Sequence, residues 1–383
     1  MESNQVSMEK VTFQLDALEE NIGKLSAAQD KLSSEETGNA SLDMGTCSAK
    51  IEANLEALEK DLSVIDSLDK GERAERCGRI LLAMEAYLQV AQKIVSENMG
   101  QGTQSALTLF GKESFRGILS MGKKDAATIA QEASELQKEL LLQWVLALYA
   151  LAKRYKKREF SDKAKQIQEK WKSLPKLDVK KLKRELQEKK KTYVQKSPQE
   201  IVSKDLVPLL DRSVSIMESA YSCLDEQVIK ITSTARENLG KAQNISMLYE
   251  PVRHLVTILQ ANAGRFTQWN AGAVATILPM QTDLGILFSK IETAGEAIAL
   301  NQSFILQNAK VIKDICQFQK ALASITEKAK HFQQELETKV VVKTVEIALQ
   351  QALTVMSDNA QFVLEYTDWW GKNELEQMDK LLG

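Results

Sequence analysis

The chain has 383 residues, of which 50 are Lys or Arg and 52 are Asp or Glu, so its formal net charge is −2. Apolar residues make up 44 % and charged residues 27 %, values typical of globular proteins, which excludes a disordered, collagen-like or disulfide-scaffold chain. Only 17 Gly and 5 Pro are present to interrupt helices. This composition predicts long helices, and the length is sufficient to bury a large core.

The first hundred residues carry apolar side chains at alternating spacings of three and four, which is typical of long packed helices. The stretch 34–49 consists mainly of small and polar residues and contains glycine, so it is expected to form a loop. The stripes are Met8, Val11, Leu15, Leu18, Ile22, Leu25 and Leu32; Ile51, Leu55, Leu58, Leu62, Ile65 and Leu68; and Ile80, Met84, Tyr87, Ala91 and Ile94.

Residues 126–171 predict one helix, which would extend about 70 Å if it were unbroken. Its uncharged middle, residues 140–152, is too short to span a bilayer and is typical of a buried core helix. Further helices are expected over 209–248 and 289–340, and another over 341–383 that contains Trp369 and Trp370.

Residues 153–196 form a basic arm with 18 Lys or Arg and 6 Asp or Glu. Three interpretations remain open: a solvated helix face, a surface for anionic lipid headgroups, and a nucleic-acid surface. Aromatic residues are too sparse in the arm for base stacking, and the rest of the chain is acidic, so nucleic acid is not the expected partner. The candidates for an anionic surface are Lys156, Lys157, Arg158, Lys180, Lys181, Lys183 and Arg184.

The sequence contains no complete catalytic, metal-binding or phosphate-binding motif. The two histidines, His254 and His331, do not form a metal or protease motif, and the four cysteines are too far apart for a zinc site. Residues 117–124 match the spacing of a phosphate-binding loop, but Lys124 replaces the Ser or Thr that would hold magnesium. We therefore expect neither an enzyme nor a cofactor, metal or small-molecule substrate.

The segment 266–288 is unusual because its first seventeen residues are uncharged and include several small ones. It is either a buried hairpin in the core or a concealed membrane-insertion element. Pro279 lies within it, and Asp283 is its only charged residue. The candidates for membrane insertion are Trp269, Val274, Ile277, Leu278, Leu284, Ile286, Leu287 and Phe288.

These elements predict an all-α fold: an elongated, coiled-coil-like rod of long antiparallel helices with an apolar head or tongue. Residues 1–250 and 289–383 would form the bundle, 251–288 the head, and 153–196 a basic arm within the bundle.

Long heptad-like helices, the absence of a cleavable signal sequence, the apolar segment 266–288 and a tryptophan-bearing C-terminal helix together resemble the helical α-pore-forming toxins. These include the cytolysin A type, the tripartite Bacillus enterotoxins and the binary xenorhabdolysin type. The resemblance lies in the layout of most of the chain rather than in a motif. It implies that 266–288 is a tongue flanked by stalk helices, released on membrane contact as subunits assemble into a pore.

The resemblance implies a virulence protein, a cytolysin or toxin component that is secreted without a cleavable signal peptide and becomes membrane-associated. Its partners would be a lipid membrane and either further copies of itself or a second toxin subunit. Asn270, Pro279, Gln281 and Asp283 depart from the more hydrophobic tongues of that family and favour a component that recruits a partner. The alternative is a cytoplasmic helical scaffold or adaptor that binds proteins or anionic membrane surfaces.

Overall fold

The structure is a computed structural model that describes residues 2–33, 40–99, 110–173, 177–338 and 380–382. These residues are overwhelmingly helical and include no strand, which confirms the all-α prediction. The helices of eight residues or more are α1 (Glu2–Ser33), α2 (Ala40–Ile65), α3 (Lys70–Met99), α4 (Lys112–Tyr155), α5 (Arg158–Lys170), α6 (Val179–Tyr193), α7 (Val207–Ser246), α8 (Tyr249–Trp269) and α9 (Ala273–Thr338).

The chain divides into two compact units. Unit 1 comprises Met1–Ser114 and Ser233–Ile305, and unit 2 comprises Phe115–Thr232 and Leu306–Gly383. The divisions fall inside α4, α7 and α9. The domain boundaries expected from the sequence stay predictions.

Unit 1 is built on the apolar stripes of α1, α2 and α3. From Val11 to Leu25 and from Ile51 to Ile65 the stripe residues are buried, and so are those from Ile80 to Ile94. Ion pairs join α3 to α1: Arg79 contacts Asp16 and Glu19, and Lys93 lies 2.7 Å from Asp30. The later residue of α3 pairs with the later residue of α1, so α1 and α3 run in the same direction.

The loop expected over 34–49 is wrong for its second half, because α2 begins at Ala40. Met44, Cys47 and Ser48 are buried and extend the stripe toward Ile51 at helical spacing. The many small residues of 40–49 are typical of loops, yet small residues also suit a closely packed helix. Residues 34–39 lie outside the described residues.

Unit 2 contains the basic arm. The predicted helix over 126–171 is interrupted: α4 ends at Tyr155, and Lys156 adopts a positive φ of 53° before α5 begins. A 3-10 turn, Trp171–Ser173, ends this part of the chain. The apolar middle of α4 is buried, as expected, together with side chains of α5, α6 and the turn, namely Phe160, Ala164, Trp171, Leu182, Leu186 and Tyr193.

The remaining stretch of unit 2 leads into α7 through a capped turn. Ser197 and Glu200 form a reciprocal capping box around Pro198, and a π-helix, Ile201–Leu206, follows. The predicted C-terminal helix with Trp369 and Trp370 lies outside the described residues, except for 380–382.

Candidate functional site

The predicted apolar segment forms the tip of a helical hairpin. Helix α8 ends at Trp269 and α9 begins at Ala273. Asn270 closes the connection: its side-chain oxygen accepts a hydrogen bond of 2.9 Å from the Gly272 N–H, and its carbonyl accepts one of 2.9 Å from Ala273. Asn is well suited to such a turn because its short side chain reaches the backbone two residues on. The name "hairpin tip" is used below for residues 266–288.

The inner face of the hairpin tip belongs to the core of unit 1. Phe266, Trp269, Ile277, Leu284 and Leu287 are each at most 4 % exposed. The rings of Phe266 and Trp269 meet edge to face with centroids 5.6 Å apart, a favourable aromatic geometry. This face is therefore part of the folded core.

Polar contacts fix the end of α8. The indole N–H of Trp269 donates a hydrogen bond of 2.7 Å to Asp66, in the turn after α2. The guanidinium of Arg265 lies 3.5 Å from the other carboxylate oxygen of Asp66. The thiol of Cys77 donates to the carbonyl of Phe266 at 3.5 Å, and burial raises the pKa of that thiol to about 11.

The outer face of the hairpin tip is apolar and exposed. Val274 is 41 % exposed, Leu278 60 % and Ile286 55 %. The other exposed residues between 271 and 286 are small, uncharged or proline, apart from Asp283. Large apolar side chains at three exposed positions within just over three turns of a helix form a surface that packing within unit 1 does not use.

The eight candidates for membrane insertion thus fall into three groups. Trp269, Ile277, Leu284 and Leu287 are buried, whereas Val274, Leu278 and Ile286 are exposed. Phe288 is half-buried and packs against the ring of Tyr249, with centroids 5.2 Å apart. The sequence placed all eight in one apolar segment, but only the helical phase of α9 separates the inner from the outer residues.

The seven anionic-surface candidates lie in unit 2 at two places. Lys156, Lys157 and Arg158 occupy the break between α4 and α5, whereas the other four are exposed on the first turns of α6. The side chain of Asp178 caps α6 by accepting a hydrogen bond of 3.0 Å from the Lys181 N–H, which lowers the pKa of Asp178. The four on α6 are Lys180, Lys181, Lys183 and Arg184.

Three of the six carboxylates of the arm are engaged with other groups. Asp162 lies 3.7 Å from both Arg158 and Lys165, and Glu169 pairs with Lys172 at 2.6 Å. Since Asp178 caps a helix, most of the positive charge of the arm is not neutralised within it.

The break between α4 and α5 also borders a cavity of about 390 Å³. Sequence reasoning missed six of its nine lining residues because they come from separate parts of the chain. The excess of positive charge in 153–196 was the only signal of this site. The missed residues are Tyr149, Ala152, Lys153, Ser161, Lys190 and Val194.

The chain matches no known protein-family model, and neither the curated proteins nor the solved structures compared with it include a match. Within the described ranges, none of the helices combines the length and apolarity that crossing a bilayer requires. In the same part of the chain, no three His, Cys, Asp or Glu side chains form a group suited to hold a metal ion.

Proposed function

We propose that this chain is a membrane-binding component of the helical pore-forming type. In this proposal the protein is an elongated bundle of antiparallel helices, and its hairpin tip is the apolar head that first contacts lipid. The observation that supports the proposal is the exposed apolar outer face of the tip, formed by Val274, Leu278 and Ile286.

The free energy of transferring this outer face into lipid is too small for stable membrane attachment by one tip. Transferring three roughly half-exposed aliphatic side chains into an apolar medium contributes about 3 kcal/mol in total. That is less than the roughly 4 kcal/mol of a millimolar Kd, so one hairpin tip would hold the protein at a membrane only weakly. Stable attachment therefore requires several copies together, or release of the buried inner face.

Both routes are consistent with an assembly. Self-association or a second subunit would add further apolar tips at one place, which raises the effective affinity without new contacts. Release of the inner face would add Trp269, Ile277, Leu284 and Leu287 to the surface that enters lipid. We therefore propose partners of two kinds, a lipid membrane and a further subunit, for a secreted protein without an enzymatic step.

The experiment is co-flotation of the protein with phosphatidylcholine vesicles, followed by dye leakage and sizing of the vesicle-bound protein. The test variant is Leu278→Asp, which places a charge on the outer face at a position that is not packed. The matched control is Leu82→Asp, because Leu82 lies on α3 in the same unit and is 67 % exposed. We expect Leu278→Asp to lose vesicle binding and Leu82→Asp to keep it.

Equal binding by the two variants would contradict the proposal, because the apolar contact would then not involve the tip. Leakage with a discrete large vesicle-bound oligomer supports a pore formed by this chain itself. Binding without leakage supports a component that requires a second subunit.

A second candidate is a scaffold or adaptor that binds anionic membrane surfaces through the basic arm. The observation that favours it is the exposure of Lys180, Lys181, Lys183 and Arg184 on the first turns of α6. This function predicts vesicle binding that weakens with salt, and its loss when these four residues are changed to Glu. Binding that resists both changes would exclude it.

A further inference from the structure

We propose that the cavity between α4, α5 and α6 binds a phosphate group carried as a monoester. The cavity is a depression that is largely open to solvent, and its volume is about 390 Å³. It lies entirely within unit 2, and this inference does not depend on the hairpin tip. Its name below is the "basic cavity".

The lining of the basic cavity is positively charged without a carboxylate. Three helices bring together cations that are distant in sequence, since Lys190 lies in the last turn of α6 whereas the others lie at the α4–α5 break. A compact dianion gains most from several cations around one volume, because its charge is concentrated in a small group. The cationic lining residues are Lys153, Lys156, Lys157, Arg158 and Lys190.

One of these cations is held in place at the wall. The ammonium nitrogen of Lys190 lies 3.7 Å from the centre of the Tyr149 ring, within the range of a cation–π contact. The Tyr149 hydroxyl in turn accepts a hydrogen bond of 2.8 Å from Gln168 on α5. The ring is thereby oriented, and the contact positions the exposed Lys190 charge beside the cavity.

The backbone amide groups at the start of α5 also favour an anion. Helix α5 begins next to the cavity, and its N-cap residue, Lys157, makes no side-chain capping hydrogen bond. The first amide groups of a helix point outward and carry a partial positive charge, which favours an anion. Ser161, one turn along α5, also lines the cavity and adds a hydroxyl donor.

Lys156 occupies a conformation that an L side chain rarely adopts. Its φ of 53° lies in the left-handed region, where glycine is the usual residue. This conformation ends α4 and turns the chain so that the side chains before and after it border one cavity. A Gly at this position would keep the turn and remove the charge, which makes Lys156→Gly a test variant that favours the native fold.

One carboxylate competes with a ligand. Asp162 lies 3.7 Å from the Arg158 guanidinium, but Asp162 does not line the cavity and Arg158 is 91 % exposed. The contact is long and solvated, so an anion in the cavity can attract Arg158 away from it.

The test compares glycerol 3-phosphate in solution with vesicles of phosphatidylcholine that contain phosphatidic acid or, at matched surface charge, phosphatidylserine. The full chain is used as wild type, Lys156→Gly, Lys190→Gln and Lys163→Gln. The last is the matched control, since Lys163 is an exposed cation of α5 in the same arm but outside the cavity. Thermal unfolding verifies that each variant is folded.

We expect each cavity variant to weaken binding about fivefold, the effect of losing one lysine near an anionic group, and the control to change it less than about twofold. Binding of glycerol 3-phosphate with this pattern assigns the site to a soluble phosphate ester. The site is assigned to a lipid headgroup if the protein binds phosphatidic acid vesicles but not glycerol 3-phosphate. That binding must also exceed the binding to phosphatidylserine vesicles and show the same effects of the variants.

Two results would overturn the inference. If the control weakens binding as much as the cavity variants, the arm attracts anions by its overall charge and the cavity is not a site. If neither glycerol 3-phosphate nor phosphatidic acid binds the wild type, the cavity does not take a phosphate monoester.

Discussion

The indole N–H of Trp269 donates a hydrogen bond of 2.7 Å to the carboxylate of Asp66. It connects the last residue of α8 to the turn that follows α2, so it joins the hairpin tip to the part of unit 1 built from the N-terminal helices. The indole is 4 % exposed, whereas the Asp66 side chain is 47 % exposed. The bond therefore lies at the margin of the core, where a small change could release the hairpin.

Replacing Trp269 by Phe tests that connection. Trp269→Phe keeps an aromatic ring and removes the N–H, and we expect unfolding in urea to require about 1–2 kcal/mol less free energy. If the hairpin tip is the membrane head, vesicle binding should increase. Trp171→Phe is the control, because Trp171 is fully buried in unit 2 and its N–H contacts no acceptor among the described residues. Unchanged vesicle binding by Trp269→Phe would mean that this bond does not hold the tip closed.

Substitution by Asp should lower the stability of the protein strongly at one residue of α9 and hardly at all at its neighbour. Ile277 is 3 % exposed and Leu278 60 % exposed. Ile277→Asp buries a charge in the core and is expected to cost more than about 4 kcal/mol, whereas Leu278→Asp should change stability by less than about 0.5 kcal/mol. Urea unfolding followed by circular dichroism measures both. Similar losses for the two variants would contradict the helical phase of α9 described above.

Alkylation of Cys77 reports whether the hairpin opens. The thiol is fully buried beneath α8, and its pKa of about 11 leaves little reactive thiolate at neutral pH. We expect Cys77 to resist iodoacetamide in buffer and to react when vesicles are added, as measured by mass spectrometry of tryptic peptides. Cys316 is exposed and serves as the internal control, because it should react in both conditions. Continued protection of Cys77 on membrane-bound protein would exclude opening of α8 there.

The same thiol predicts a dependence of stability on pH. Its pKa is raised from 9.0 to about 11 by burial, so between these values the folded state keeps a proton that the unfolded state has lost. Stability is then full below about pH 9 and falls as pH rises toward 11. Cys223 has a pKa of about 11 as well, so between pH 9 and 10 the double variant Cys77→Ala, Cys223→Ala should reduce the fall more than either single variant does. Burial also raises the pKa of Tyr87 and of Tyr193, and these two groups add to the fall above pH 10. Urea midpoints across this range measure the effect, and an unaltered slope in the double variant would assign it to other groups.

Patterns that depend on one helix could be predicted from the sequence. The stripe from Ile51 to Ile65 is buried throughout, because alternating spacings of three and four place its members on one side of any helix. At 40–49 the structure has a helix where a loop was expected, because glycine and small polar residues occur both in loops and in closely packed helices.

The break at Lys156 could not be predicted, because a positive φ is usually marked by Gly or Asn. The basic cavity follows from that break and from the placement of α6, so no spacing along the chain indicates it. The division of the hairpin tip into inner and outer faces also depends on how α9 packs. The sequence identified the composition of both candidate sites, and the fold determines which of their side chains meet.

Pro279 has a consequence for the order in which the hairpin tip loses its structure. Proline has no amide proton, so the carbonyl of Ala275 has no donor four residues on in the helix. Ala275 is exposed, and water can reach that carbonyl. The first two turns of α9 are therefore held together by fewer internal bonds than the rest of this 66-residue helix. Fraying should begin at this end, which makes the hairpin tip a short local unfolding unit that can change shape while the long remainder of α9 stays helical.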